Sequence, residues 1–212
     1  DGTAADELYR RAESARNREG GNEEESIHFF SPSTHTDLDE RLAIEAQLRR
    51  ALERQEFRLE YQPKVSINDG RIVGFEALLR WTNPVLGAVS PVQFIPIAER
   101  TGLIIPIGAW ALEQTCQQMR KWTFETGAPV KVAVNLSPRQ FHQKDLLPMI
   151  RECVERWAIP TGTLELEITE TALVSREQEV DVLMRGIRAL GVELSIDDFG
   201  TGYSSLAYLK RF

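Results

Sequence analysis

Lys131-Val-Ala-Val-Asn135 and Leu164-Glu-Leu-Glu-Ile168 read as two short strands, and the stretch from Asp145 to Trp157 lies between them. In that stretch Leu146, Ile150, Cys153, Val154 and Trp157 recur at helical spacing and make one apolar stripe. The same alternation runs outward in both directions. Upstream, Pro91 to Arg100 reads as a short helix and Pro106 to Trp122 as a longer one, with Leu112, Cys116 and Met119 on one face. Downstream, Glu177 to Leu190 is helical, with Val180, Leu183, Met184, Ile187 and Leu190 inward. Glu193 to Ile196 is the next strand, and Ser204 to Lys210 begins one more helix. Repeated strand–helix units predict an α/β domain: a parallel sheet with helices outside it. Two closures satisfy the pattern, an open doubly wound sheet and a (β/α)8 TIM-type barrel. No GxGxxG or Walker loop follows a strand, which weighs against a dinucleotide-binding sheet. A barrel takes roughly 250 residues, so Phe57 to Phe212 accounts for about five of its eight strand units.

The start of this region differs. Phe57 to Val65 and Arg71 to Trp81 are strands, and Asn68-Asp69-Gly70 between them is a hairpin signal. Asp37 to Arg54 reads as a helix with Ile44, Leu48, Ala51 and Leu52 on one stripe, and Asp37 with Glu40 resembles a capping box. Ser31-Pro32-Ser33-Thr34 reads as a turn or linker. Residues 1–30 hold a polar helix pattern, a Gly20-Gly21-Asn22 break, an acidic run and the strand pattern Ser26 to Phe30, too little to bury a core alone.

The chain has 212 residues, 42% of them hydrophobic and 27% charged, enough for one good core. Its net charge of −7 argues against a nucleic-acid polymer as partner, so affinity for phosphate must come from a metal or a few placed arginines. Cys116 and Cys153 have no metal-ligand spacing and read as buried free thiols in a reducing, cytoplasmic setting. The three histidines are scattered, which speaks against zinc. The run Leu103 to Leu112 contains Pro106 and Gly108 and is too short to span a bilayer. The chain starts at Asp1 and stops at Phe212 directly after a helical pattern, so a piece of a longer protein is expected, whose upstream part can carry a membrane anchor.

The chemistry sits at strand ends. Glu76 lies in the second strand, with Arg80 and Trp81 just beyond. The following strands end in Asn135-Leu-Ser137, Glu167-Ile-Thr-Glu170 and Asp197-Asp198. In a barrel these ends share the face where active sites lie. Carboxylates and a carboxamide, without His or Cys, suit Mg²⁺ or Mn²⁺. Each residue alone has a structural alternative: Glu76 pairing with Arg80, Asn135 capping the next helix, Glu170 in a first helical turn, and Asp198 or Ser204 as a helix cap. Four coincidences are harder to accept than one site. Acidic residues with a metal, an arginine and an aromatic at the lip suit a phosphate ester. Arg80 can fork onto a phosphate oxygen, while Trp81 either stacks on a base or packs in the core.

At this point the residues resemble a family. Glu76-Ala-Leu-Leu-Arg-Trp81 is the signature of EAL domains, the bacterial cyclic di-GMP phosphodiesterases. The resemblance extends through Tyr61-Gln-Pro-Lys64, Phe94-Ile-Pro-Ile-Ala-Glu99, Asn135-Leu-Ser137, Glu167-Ile-Thr-Glu170 and Asp197-Asp-Phe-Gly-Thr-Gly-Tyr-Ser-Ser205, over roughly residues 40–212. It implies a (β/α)8 barrel with an antiparallel first strand, which the hairpin suits. It implies that Glu76, Asn135, Glu167 and Asp197 bind one metal and that Asp198 binds or adjoins a second. Glu76, Asp197 and Asp198 are the implied catalytic residues, and Gln62 and Arg80 the implied contacts to cyclic di-GMP. Glu170 holds the loop Phe199 to Ser205, which in the family links metal binding to a homodimer. The implied reaction opens cyclic di-GMP to linear pGpG.

Residues 1–30 weakly resemble the end of a GGDEF (diguanylate cyclase) domain, without its signature. The expected organisation is that remnant at 1–30, a linker and connecting helix at 31–54, and the N-terminal part of an EAL barrel at 55–212. The family's later strands carry a lysine near the attacking water, the glutamate base and further ligands. Without them the expectation is an incomplete barrel with unpaired edges and an apolar interior facing water, inactive alone. Two further readings compete: a non-catalytic cyclic di-GMP receptor, and a fragment that serves as a partner surface, with upstream GGDEF or sensor domains in the parent.

Overall fold

The structure, a computed structural model, describes residues 32–169, 172 and 177–197. Strands β1 (Phe57–Val65) and β2 (Ile72–Asn83) form the expected antiparallel hairpin. Ser66 N–H donates to Arg71 O and Gly70 N–H donates to Ser66 O, each at 2.9 Å. Gly70 has φ 71°, in the left-handed region that a side chain resists. Strands β4 (Val132–Leu136), β5 (Leu164–Thr169) and β6 (Glu193–Asp197) follow in parallel, giving the order β1-β2-β4-β5-β6. A short strand β3 (Gly87–Val89) adds antiparallel to the end of β2. The sheet is therefore mixed, with the first strand reversed as expected, and its parallel strands succeed one another as βα units require.

The register sorts every side chain to one of two faces, because strand side chains alternate. Leu59, Tyr61, Ala77, Leu79, Val132, Val134, Leu164, Leu166, Ile168, Leu194 and Ile196 share one face. Helices α3 (Ile104–Thr126), α5 (Leu146–Trp157) and α6 (Glu177–Ala189) pack there, through Leu112, Cys116, Met119, Ile150, Cys153, Val180, Met184 and Ile187. A second cluster joins α1 (Pro32–Leu48) and α2 (Pro91–Thr101) to the hairpin: Ile44, Leu48, Ala51, Phe57, Trp81, Phe94 and Ile97. Each large side chain fully buried in these clusters contributes about 1.5–3 kcal/mol.

Three expectations change. Helix α1 begins at Pro32, so Pro32–Thr34 are helical and not a turn, and Asp37 lies inside the helix. Proline is favoured in a first helical turn, and the same residues therefore signal a helix start. The helix stops at Leu48, where Arg50 N–H and Ala51 N–H turn to Gln47 O and Leu48 O in tight three-residue steps. Finally, the face away from the helices is not apolar. Gln62, Lys64, Glu76, Arg80, Asn135, Glu165, Glu167, Glu193 and Asp197 all lie on it.

Cys116 and Cys153 are buried free thiols, as expected. Among the described residues no single helix is long and apolar enough to cross a membrane. Residues 1–30, Glu170, Asp198, the loop Phe199 to Ser205 and the helix expected from Ser204 lie outside the described residues.

Candidate active site

The four candidate ligands that the structure describes sit on four neighbouring strands and on one face. Glu76 pairs with Ala133, two residues before Asn135; Asn135 pairs with Glu167; and Glu167 pairs with Ser195, two residues before Asp197. The four therefore climb diagonally through the hydrogen-bond register. In a barrel the strands tilt, and a shear of 8 over eight strands advances a level ring by about one residue per strand. An advance of four residues over three strand steps stays close to that slope, so the tilt brings the four side chains to a common height.

Asn135 Nδ2 donates to Glu76 Oε1 at 2.7 Å, which joins the first two candidates directly. Two alternatives close here. Glu76 is not the partner of Arg80, and Asn135 is not the cap of the next helix. That cap is Ser137, whose Oγ accepts from Gln140 N–H at 3.3 Å while Ser137 N–H donates to Gln140 Oε1 at 3.2 Å. This reciprocal box starts helix α4 (Pro138–Phe141) and fixes how the chain leaves β4. From α4, Arg139 Nη1 donates to Glu99 O at 2.6 Å and Arg100 O at 3.1 Å, satisfying carbonyls at the end of α2.

Glu167 is paired with Lys64, a residue whose role the sequence pattern does not announce. Lys64 is on β1, and β2 and β4 lie between it and β5. Three strand spacings are about 14 Å of flat sheet. The sheet's curl turns the two side chains toward each other. Burial works to lower the Lys64 pKa, but the hydrogen bond to Glu167 and the charges of Glu165 and Glu76 outweigh it and raise it. The Glu167 carboxyl is nevertheless held above its ordinary range. Burial is the main cause and the Glu76 and Glu165 charges add to it, against the lowering by Lys64. Both shifts are upward: the carboxylates around Lys64 favour its charged form, while burial and the neighbouring Glu76 and Glu165 disfavour the charge on Glu167. Lower on the same face, Lys131 Nζ binds Glu193 at 2.6 Å and Glu165 at 3.0 Å. Burial works to raise the Glu165 pKa, but its hydrogen bonds and the Lys131 charge leave it lowered.

Gln62 sits opposite Glu76 on β1 and is exposed. Arg80 lies four residues beyond Glu76 on the same face. Its Nε donates to Glu60 Oε2 at 2.8 Å and its Nη1 to Leu79 O at 3.0 Å. Trp81 points the other way. It is 1% exposed, packs on Phe57 and Phe94 at ring distances of 6.1 and 5.6 Å, and donates from Nε1 to Glu56 Oε2 at 2.9 Å. The packing reading of Trp81 holds, and base stacking does not. A cavity of about 270 Å³ opens beside Arg80 and Asn135, lined also by Leu79, Glu99, Ile107 and Ser137. Burial raises the pKa of Glu99 there.

A divalent cation fits this donor set. The groups on this face that can ligate a metal are oxygen donors, and its carboxylates Glu60, Glu76, Glu165, Glu167, Glu193 and Asp197 outnumber the cations Arg58, Lys64, Arg80 and Lys131. Among the described residues no three Asp, Glu, His or Cys side chains already converge as a ligand cluster. The convergence present is that of Glu76 with Asn135, and of Glu167 with Lys64.

Fold and site together define an α/β barrel-type domain with an acidic, oxygen-rich strand-end centre. Residues 45–212 match the EAL domain family. MucR of Pseudomonas aeruginosa, a bifunctional diguanylate cyclase/cyclic di-GMP phosphodiesterase, is 42% identical over 211 residues, 100% of this chain and 31% of MucR. The cyclic di-GMP phosphodiesterase NbdA of the same species is 36% identical over 211 residues, 100% of this chain and 27% of NbdA. A solved structure of the MucR phosphodiesterase in complex with c-di-GMP superposes with a TM-score of 0.76 at 45% identity, covering 80% of this chain and 69% of that one. The chain belongs to the EAL domain family, whose fold is the (β/α)8 barrel. It spans between 24% and 31% of the length of the first curated relatives it matches.

Proposed function

We propose that the protein carrying this domain hydrolyses cyclic di-GMP to linear pGpG in a reaction that depends on Mg²⁺ or Mn²⁺. The observation that carries the reading is the set Glu76, Asn135, Glu167 and Asp197 on one face of four neighbouring strands, with Asn135 hydrogen-bonded to Glu76. The relatives MucR and NbdA, both cyclic di-GMP phosphodiesterases, support it. In this reading those four residues hold a cation, and Asp198 holds or adjoins a second. The cation supplies charge neutralisation at the phosphate and acidifies a water. Glu76, Asp197 and Asp198 are the catalytic residues in the sense that they present that centre to the reacting phosphate.

The remaining work falls to side chains. Gln62, exposed beside Glu76, contacts the nucleotide. Arg80 binds a phosphate oxygen by exchanging Glu60 for it, a charge-assisted bond of about 2 kcal/mol, so Arg80→Ala weakens cyclic di-GMP binding about 30-fold. Glu170 supports the loop after Asp198. The proposal includes a homodimer through this domain and GGDEF or sensor domains upstream, the latter in keeping with the bifunctional relative MucR. The buried free thiols and the nucleotide substrate support a cytoplasmic setting.

The test is chromatography of cyclic di-GMP incubated with the protein and Mn²⁺. The reading expects pGpG, and none after chelation. Tight binding of cyclic di-GMP with no pGpG at any metal concentration would instead establish a receptor.

A further inference from the structure

We propose that Lys64 is a built-in counter-cation, whose ammonium pairs with the Glu167 carboxylate and competes with a divalent cation for it. The inference rests on the cation-site reading above and adds a residue that acts against metal binding rather than for it.

Three observations carry it. The Lys64–Glu167 contact reaches from β1 to β5 across the curled inner face, so it is a contact of the assembled barrel face and not of neighbouring strands. The β1–β2 register shifts immediately after Lys64, between Lys64 and Val65. Such irregularities bend a strand and re-aim its side chains. Lys64 is also the one ammonium on this face available to the upper carboxylates among the described residues, since Lys131 is tied to Glu165 and Glu193. The Glu167 side chain is only 12% exposed, so water does little to offset its charge if Lys64 leaves.

The consequence has a definite sign. A residue that merely orients a ligand weakens metal binding when it is removed. A residue that competes for the ligand strengthens it. Lys64→Met removes the competitor, so the metal-free protein loses stability while the Mn²⁺-loaded protein keeps it. Mn²⁺ binding then tightens roughly tenfold, the effect of about 1.4 kcal/mol. Lys64→Arg keeps the charge and stays near the wild-type affinity.

The experiment is a Mn²⁺ titration followed by electron paramagnetic resonance, with thermal unfolding of each protein with and without Mn²⁺. The wild type, Lys64→Met, Lys64→Arg and Glu167→Gln are compared in the full protein. The expected result is tighter Mn²⁺ binding and a larger Mn²⁺-induced rise in Tm for Lys64→Met alone. If Lys64→Met folds only with the metal present, Lys64→Gln gives the same comparison. Equal or weaker Mn²⁺ binding by Lys64→Met and Lys64→Gln, with wild-type binding intact and lost in Glu167→Gln, overturns the competition while leaving the cation site standing. Absence of Mn²⁺ binding in the wild type overturns both.

Discussion

Replacing Gly108 by alanine ought to stabilise an ordinary helix. Gly108 lies inside α3, where glycine costs roughly 0.5–1 kcal/mol relative to alanine. Here the sign reverses. A Cβ at this position meets Gln140 Nε2 at 1.7 Å, Cδ at 2.4 Å and Oε1 at 2.8 Å. Gln140 is 5% exposed, and its side chain accepts from Ser137 N–H in the box that starts α4. The alanine methyl expels that side chain. The loss of the box costs about 1 kcal/mol, and a buried amide left without its partner costs about 1–3 kcal/mol. Against the helix gain, Gly108→Ala is expected to destabilise by about 1–3 kcal/mol, read as the shift of a urea unfolding transition with unchanged slope. Gln140→Ala alone loses the side chain's half of the box. Once it is gone the clash is gone too, so Gly108→Ala on that background is neutral or stabilising. The cycle therefore shows strong coupling between two residues on α3 and α4. Gly108→Ala as stable as wild type, or additive with Gln140→Ala, refutes the contact on which the path of the chain after Asn135 depends.

Trp81→Phe removes one of the two donors to the buried Glu56 carboxylate, which Asn83 Nδ2 also reaches at 2.9 Å. It is expected to destabilise by about 1–3 kcal/mol and to leave cyclic di-GMP affinity within about threefold of wild type. A large loss of affinity at unchanged stability would return Trp81 to the ligand. Tyr61 gives a pH prediction. Burial pushes its phenol up to about 12, against the lowering by the Thr115 hydrogen bond. A raised pKa in the folded state means the stabilisation is complete below the unfolded value near 10 and is lost as pH rises through 12. The full shift corresponds to about 2.7 kcal/mol, which solvent screening of this half-buried ring reduces to about 1 kcal/mol. Urea midpoints between pH 9 and 12 should fall more steeply for wild type than for Tyr61→Phe, and equal slopes count against the burial.

What was readable in the sequence follows from what periodicity records. The strands and helices from Phe57 to Ile196 were legible because their buried residues repeat every two or every three to four positions. Glu76, Asn135, Glu167 and Asp197 were legible as polar residues at strand ends. Their common height was not, because it depends on strand tilt, which offsets Asn135 from Glu76 by two register positions. Strand β3 and helix α4 are too short to show a period, although Ser137 with Gln140 carries the capping-box spacing. Lys64 escaped because its partner lies 103 residues away and three strands over. The polar inner face escaped for a related reason. Glu165 and Glu193 carry no mark of their partners in the sequence, and only the register shows that they share a face with Glu167.

The claim at the centre is that the strand-end oxygens form a single cation site. An anomalous difference map at the manganese edge, from crystals of the protein grown with Mn²⁺, tests it directly. The account predicts a peak at about 2.0–2.3 Å from oxygens of Glu76, Asn135, Glu167 and Asp197, with Lys64 withdrawn from Glu167. No peak on that face at saturating Mn²⁺, or a peak whose ligands exclude Glu76 and Glu167, contradicts it.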